Sequence, residues 1–176
     1  MLKTLFKEQY LRARLLYGCR IFTKNKKWYP LWLTVHWLLK ILSFGKLNRF
    51  MDDYTITVGP YIFVPTDWDE NNVTKANYVT LCHELDHIRL YREIGGIPWF
   101  GAFLVSLFYL FLPLPIGLAW FRYATERRAY LVTHQTLKQL GEESNIDTYV
   151  KILTGSSYLW AWPFKKQVRN WFEKNA

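Results

Sequence analysis

Two histidines and a glutamate near the middle of the chain have the residue types and spacing of a metal site. Residues 81–90 read LCHELDHIRL and place His83, Glu84 and His87 in the pattern HExxH. On a helix, positions i and i+4 share a face, so both imidazoles can bind one ion. Glu84 is rotated away from them and can accept a proton from a water at that ion. Such a pattern arises by chance in on the order of one per cent of chains of this length, so its surroundings matter.

The HExxH stretch lies in a segment that is predicted to be helical on independent grounds. The acids and asparagines of residues 67–72 are typical of a helix start, and Gly95-Gly96 is typical of a helix end. We therefore predict a helix over residues 73–94. A short β-hairpin is predicted just before it, because residues 55–58 and 61–64 are β-rich runs separated by Gly59-Pro60.

The rest of the chain is predicted to be mainly helical. Helical patterns cover residues 2–17, 28–44, 121–140 and 162–174, and a polar connection over residues 142–155 leads into a short helix. No repeat or clear domain boundary interrupts the 176 residues, a length that suits one domain. We predict a single, predominantly helical α+β domain with three regions: a basic N-terminal region (1–51), a central core (52–141) and a helical tail (142–176).

A catalytic zinc site uses three protein ligands and one open position, so a third ligand has to lie elsewhere in the chain. The downstream candidates are Glu93, Glu126, His134, Glu142, Glu143 and Asp147. Glu93 lies six residues past His87 on the same helix and points away from the histidines. Glu142 and Glu143 fall in the polar connection. Glu126, in the second long helix, is the best placed.

These residues resemble the gluzincin superfamily of zinc metallopeptidases. HELDH is followed by Glu126-Arg127-Arg128-Ala129-Tyr130, which is similar to the ExxA(D/Y) context of the glutamate ligand in that family. The resemblance covers residues 73–134 and rests on a few motif positions within them. It implies a zincin-like core in which Zn²⁺ is bound by His83, His87 and Glu126. It also implies hydrolysis of peptide bonds by a metal-activated water, with Glu84 as the general base and the hairpin beside the substrate cleft.

One position departs from the family pattern. Many relatives have Asp four residues after the ligand glutamate, where its carboxylate orients a ligand histidine, but this chain has Tyr130 there. Tyr130 can hydrogen-bond a ligand, donate to the oxyanion that develops during peptide hydrolysis, or simply pack in the core. It is therefore a candidate catalytic residue beside Glu84. His134, roughly 80° around the helix from Glu126, is a weaker candidate for the site.

The distribution of charge points to an anionic partner. Residues 1–51 contain eleven Lys or Arg and one acid, whereas the remainder carries twelve bases and thirteen acids. The entire positive excess thus lies in the first third, which favours partners such as phospholipid head groups. Nucleic acid is disfavoured, because no recognised binding motif accompanies these bases.

An uncharged segment separates the expected metal ligands. Residues 97–121 carry no charge and are broken by Pro113 and Pro115. His87 and Glu126 lie on either side of this segment, and a single membrane crossing would separate them. We expect the segment to fold back, either dipping into a membrane or buried in protein. No secretory signal peptide is evident, so a membrane-associated and a cytoplasmic location both stay open. The alternative to an enzyme is a non-catalytic membrane- or assembly-interacting protein that keeps the same scaffold.

Overall fold

The fold is mainly helical, with one small sheet. The computed structural model describes residues 1–42, 49–69, 72–110, 119–155 and 162–176. In chain order the elements are α1 (Leu2–Tyr17), β1 (Arg20–Thr23), α2 (Tyr29–Leu42), α3 (Phe50–Asp53), β2 (Ile56–Val58), β3 (Tyr61–Val64), α4 (Lys75–Gly95), α5 (Pro98–Leu110), α6 (Ala119–Gln139), α7 (Ile146–Thr154) and α8 (Lys165–Asn175). The predicted predominantly helical α+β class is confirmed.

The sheet has the strand order β1-β3-β2. β2 and β3 form the predicted antiparallel hairpin, in which Ile56 lies opposite Phe63. Gly59 in the connecting turn has a φ of 59°, a left-handed conformation that glycine adopts without steric cost. The sequence did not predict β1, which pairs with β3 in parallel. Four residues are too few for an alternating pattern to stand out, so only the long-range pairing reveals this strand.

Both faces of the sheet are covered. Ile62 and Val64 point to one side, where they pack with side chains of α1 and α4. Phe63 points to the other side and packs against Trp32 of α2 and Phe50 of α3. A further buried cluster joins α6, α7 and α8 and contains Tyr123, Tyr149, Val150, Leu153, Val168 and Phe172.

A buried lysine fastens α3 to β1. The Lys24 ammonium donates to the backbone carbonyls of Phe50 (2.7 Å), Met51 (3.4 Å) and Tyr54. The side chain is inaccessible to solvent, and its burial lowers the pKa of Lys24 to about 8 against the opposing influence of nearby carboxylates, Glu84 among them. The ammonium thereby satisfies carbonyls at the end of α3 that the short helix itself leaves without partners.

The helix that carries HELDH lies at the centre of the fold. Its first turn is closed by a capping box, in which the Thr74 hydroxyl accepts from the backbone N–H of Asn77 and the Asn77 side chain accepts from the backbone N–H of Thr74. It ends at Gly95, close to the predicted end at residue 94. α4 packs against α1, α5 and α6. Packing on several sides therefore fixes the position of α4, which carries His83, Glu84 and His87.

The uncharged segment between the expected ligands is partly α5, which packs tightly along α4. A Cβ built on Gly101 would lie 1.7 Å from the backbone oxygen of Tyr91, so only glycine permits this approach. The break expected at Pro113 and Pro115 lies outside the described residues. Within the described ranges, no helix combines the length and apolarity that crossing a bilayer requires.

Candidate metal centre

Three potential metal ligands converge between α4 and α6. His83 and His87 lie one turn apart on α4, and Glu126 lies on the facing turn of α6. The Glu126 carboxylate is 3.8 Å from His83 Nε2 and 3.9 Å from His87 Nε2, and one ligand atom from each residue lies within 4.8 Å of the others. Each side chain is largely shielded from solvent, with 9 to 13% of its surface exposed. The group can hold a metal ion.

The donor set fits zinc. Two imidazoles and one carboxylate are ligands that zinc takes in catalytic sites. Ligand atoms about 2.1 Å from a tetrahedral ion lie about 3.4 Å from one another, slightly closer than the separations between these side chains. Small side-chain movements suffice to close the site on an ion. Of the candidates proposed from the sequence, only Glu126 shares a cluster of this kind with the two histidines within the described part of the chain.

Thr133 fixes the orientation of His83. Its hydroxyl donates to the backbone oxygen of Ala129 (3.2 Å) on the same helix. The hydroxyl oxygen also lies 3.0 Å from His83 Nδ1, so it is placed to accept a hydrogen bond from Nδ1–H. Thr133 thereby occupies Nδ1, and Nε2 faces Glu126, the side on which a metal ion would be bound. Thr133 therefore orients the His83 ring from the side opposite Glu126.

The electrostatic surroundings of His83 favour a positive charge at the site. Burial by itself lowers the pKa of His83, but Glu126, Glu84 and Asp86 together more than offset this effect, and the pKa is raised above its ordinary value. The same negative field attracts a cation. A divalent ion between α4 and α6 would thus be held by direct ligands and by the surrounding carboxylates.

Glu84 lies beside the ligands and is held by the hairpin. It is 6% exposed, and its Oε2 accepts a hydrogen bond of 2.7 Å from the Thr57 hydroxyl on β2. The Tyr91 hydroxyl in turn donates to the Thr57 backbone oxygen at 3.2 Å, and burial raises the pKa of Tyr91 above its usual range. Tyr91 therefore stays a neutral donor, and β2 and α4 together position the Glu84 carboxylate.

Tyr130 contacts the site through its ring. The ring centroid lies 4.9 Å from that of His83 in an edge-to-face arrangement and 5.4 Å from that of Tyr149. The ring therefore packs between a ligand and the α6–α7–α8 cluster, a contact that limits rotation of His83. This ring contact does not by itself bring the hydroxyl to a reacting atom, so the catalytic role of Tyr130 stays a prediction.

Four other sequence candidates, Glu93, Glu142, Asp147 and His134, have partners of their own. Glu93 accepts from Arg128 and Arg89. Glu142 pairs with Lys75, and Asp147 pairs with Arg169. His134 is almost fully buried and its Nδ1 lies 2.7 Å from the Ser144 hydroxyl, which ties α6 to the segment before α7.

Arg128 links the two ligand-bearing helices. From α6 it reaches Asp86 (3.0 Å), the residue before His87, and forms a two-pronged pair with Glu93 at 2.6 and 3.1 Å. Asp86 is 7% exposed, so its charge needs this partner. The pairs fix how α6 lies against α4, and Arg128 is only two residues from Glu126.

Sequence reasoning missed the three supporting residues Thr57, Thr133 and Arg128. Thr133 could have been found from its spacing, because position i+7 from Glu126 lies on the same helix face. Thr57 has no local signal, since its contact with Glu84 depends on how the hairpin packs on α4.

No protein-family model, characterised protein or solved structure was found to match this chain.

Proposed function

We propose that the chain is a zinc-dependent metallopeptidase with a zincin-like core. The observation that carries the proposal is the convergence of His83, His87 and Glu126 from two helices, with the buried Glu84 carboxylate beside them. A purely structural site has little use for a buried acid that is held in place next to its ligands. Binding of zinc by two imidazoles and one carboxylate leaves a position open for chemistry.

Each residue has a defined task in this proposal. A bound zinc ion supplies Lewis acidity, which lowers the pKa of a water toward neutrality. Glu84 accepts the proton of the attacking water and delivers it to the nitrogen of the leaving amine. Because Thr57 occupies Oε2, the proton transfer falls to Oε1. Tyr130 is the candidate donor to the developing oxyanion.

β2 is the proposed guide for the substrate. It lies at the edge of the sheet and carries Thr57, which touches Glu84. An extended peptide that adds to this edge by main-chain hydrogen bonds would pass close to the candidate general base. The substrate class that fits is therefore an extended or unfolded peptide segment.

The test combines zinc content with peptide cleavage. Purified wild-type protein should bind one zinc per chain and cleave a mixed-sequence peptide library, with cleavage lost on chelation and restored by zinc. Glu84→Gln should retain zinc and lose cleavage, whereas Glu126→Ala should lose zinc and cleavage together. Glu142→Gln, which changes an acid in the exposed ion pair with Lys75, is the matched control and should behave as wild type.

Three results would contradict the proposal. Zinc-loaded Glu84→Gln protein that still cleaves would remove Glu84 from the mechanism, and unchanged zinc affinity in Glu126→Ala would remove the third ligand. Wild-type protein that binds zinc tightly but cleaves nothing in the library would favour the non-catalytic scaffold.

A further inference from the structure

α5 is packed with its small residues inward and its large apolar residues outward. Gly101, Ala102 and Val105 are buried, and a Cβ at Gly101 would collide with the α4 backbone. The opposite face carries Trp99, Phe100, Phe103 and Leu107, of which Phe103 is 61% exposed. A helix whose only environment is water would bury these large side chains and expose the small ones. The outward face of α5 therefore favours contact with an apolar partner.

α2 shows the same arrangement on a second helix. Trp32 points inward to the sheet. The outward stripe follows helical spacing and consists of Leu31, Leu33, Thr34, Trp37, Leu38 and Ile41. Even Thr34 presents little polarity, because its hydroxyl donates to the Pro30 backbone oxygen. Apart from the Thr34 hydroxyl and the Trp37 indole N–H, the side chains of this stripe are hydrocarbon.

An aromatic chain joins the two helices into one surface. The Tyr61 ring lies 6.0 Å from Trp28, just before α2, and 5.0 Å from Trp99 at the start of α5. Trp28 and Trp99 are both exposed. We call the outward stripes of α2 and α5 together with these three rings the apolar face. A contiguous exposed apolar surface that spans two helices is typical of an interaction site.

The chain segments that carry the apolar face are basic, and the acids nearest α2 are Asp52 and Asp53 on α3. Residues 9–51 and 94–125 contain no acid, whereas α2 and its flanks carry several bases. The Lys27 ammonium lies 3.9 Å from the Tyr61 ring centroid, and the Lys40 ammonium lies 4.7 Å from that of Trp37. Aromatic rings and lysines at the rim of an apolar surface are the combination found at the boundary between lipid chains and head groups.

We propose that the apolar face docks on an anionic phospholipid membrane. The outward stripes of α2 and α5 would enter the outer part of the acyl layer, with Lys27 and Lys40 at the phosphates. The described parts of the two helices, 14 and 13 residues, are about 21 and 20 Å long, shorter than the roughly 30 Å hydrocarbon core. In this proposal these parts lie along the membrane surface. Docking does not depend on zinc or cleavage, so it stands or falls separately from the proposed peptidase.

The test is flotation of the wild-type protein with vesicles. Vesicles of phosphatidylcholine containing phosphatidylglycerol should carry the protein upward, pure phosphatidylcholine vesicles should carry less, and added salt should weaken the anionic component. The double substitution Phe100→Gln/Phe103→Gln should reduce the partition coefficient on the order of tenfold. Phe164→Gln, which alters an exposed aromatic residue before α8, is the matched control and should float as wild type.

A charge-reversal variant and measurements of folding complete the experiment. Lys27→Glu/Lys40→Glu should lower binding to the anionic vesicles while leaving the weaker binding to phosphatidylcholine nearly unchanged. The altered phenylalanines are exposed, so circular dichroism and thermal unfolding should match wild type. The proposal is overturned if the phenylalanine variant floats as wild type does. It is also overturned if wild type binds neither kind of vesicle and instead forms a discrete oligomer that the phenylalanine substitutions dissociate.

Discussion

Thr57 and Glu84 are 27 residues apart in the chain, yet the Thr57 hydroxyl donates a 2.7 Å hydrogen bond to the Glu84 carboxylate. The contact joins the edge strand of the sheet to the helix that carries both histidines. The hydrogen bond to Oε2 restricts rotation of the carboxylate and so narrows the directions in which Oε1 points. The hairpin therefore has a direct part in arranging the proposed general base.

Thr57→Val should lower peptide cleavage while leaving the metal in place. Valine keeps the shape of threonine but cannot donate, so the Glu84 carboxylate loses its orientation and kcat should fall roughly 10- to 100-fold. Thr55→Val, two residues earlier, is the matched control. Zinc content by atomic absorption and kcat on a fluorogenic peptide separate the two effects. Equal loss in both variants would assign the change to the strand and not to the hydrogen bond.

Thr133→Val should weaken zinc binding. Without the hydroxyl, His83 Nδ1 has lost its acceptor and the imidazole can turn or change tautomer, so zinc affinity should fall about 10- to 100-fold. The matched control is Thr125→Val, which removes a hydroxyl that donates a hydrogen bond to the Arg122 backbone oxygen on the same helix. Competition with a zinc chelator gives both affinities. If Thr133→Val binds zinc as tightly as wild type, another group orients His83.

Arg128→Met should destabilise the protein more than removal of an exposed ion pair. The substitution leaves the buried Asp86 charge without its partner, and we expect a loss of about 1 to 2 kcal/mol in the free energy of unfolding. Arg169→Met breaks the exposed pair with Asp147 and should cost less than about 1 kcal/mol. Urea unfolding of the metal-free proteins measures both. Similar losses in the two variants would show that the Arg128 pairs do not bind α6 to α4.

Lys24→Met should destabilise the fold and change its pH dependence. The buried carbonyls of Phe50, Met51 and Tyr54 lose their donor, which should cost about 2 kcal/mol or more, whereas the exposed Lys26→Met should be nearly neutral. The pKa of Lys24 is about 8 in the folded protein, whereas the ordinary pKa of a lysine, which the unfolded chain regains, is 10.5. The unfolded chain therefore binds more protons between these values, and wild type should gain stability relative to Lys24→Met as the pH rises through this window. A pH-independent difference in urea unfolding would contradict the burial of a charged amine.

The sequence predicted the elements well where a periodic pattern was long. The predicted helix over residues 73–94 is observed as Lys75–Gly95, and that over residues 121–140 as Ala119–Gln139. The hairpin was also predicted, because glycine and proline separated two β-rich runs. The sequence failed at β1 and α3, each four residues long, since so short a segment takes its structure from its neighbours and not from its own pattern.

By itself, the sequence determined that His83, Glu84 and His87 would share one helix, because their spacing is local and helical geometry follows from it. It also named Glu126 as the best-placed third ligand. Only the tertiary structure decided that Glu126 lies close to both imidazoles, that the Thr133 hydroxyl lies at His83 Nδ1, and that Thr57 donates to Glu84. The physical reason is that these contacts join elements distant in the chain, whose relative positions depend on packing, such as the close approach of α5 to α4 at Gly101. The outward turn of the large apolar side chains of α2 and α5 has the same origin, because composition shows that a segment is apolar but only packing shows which side faces the protein.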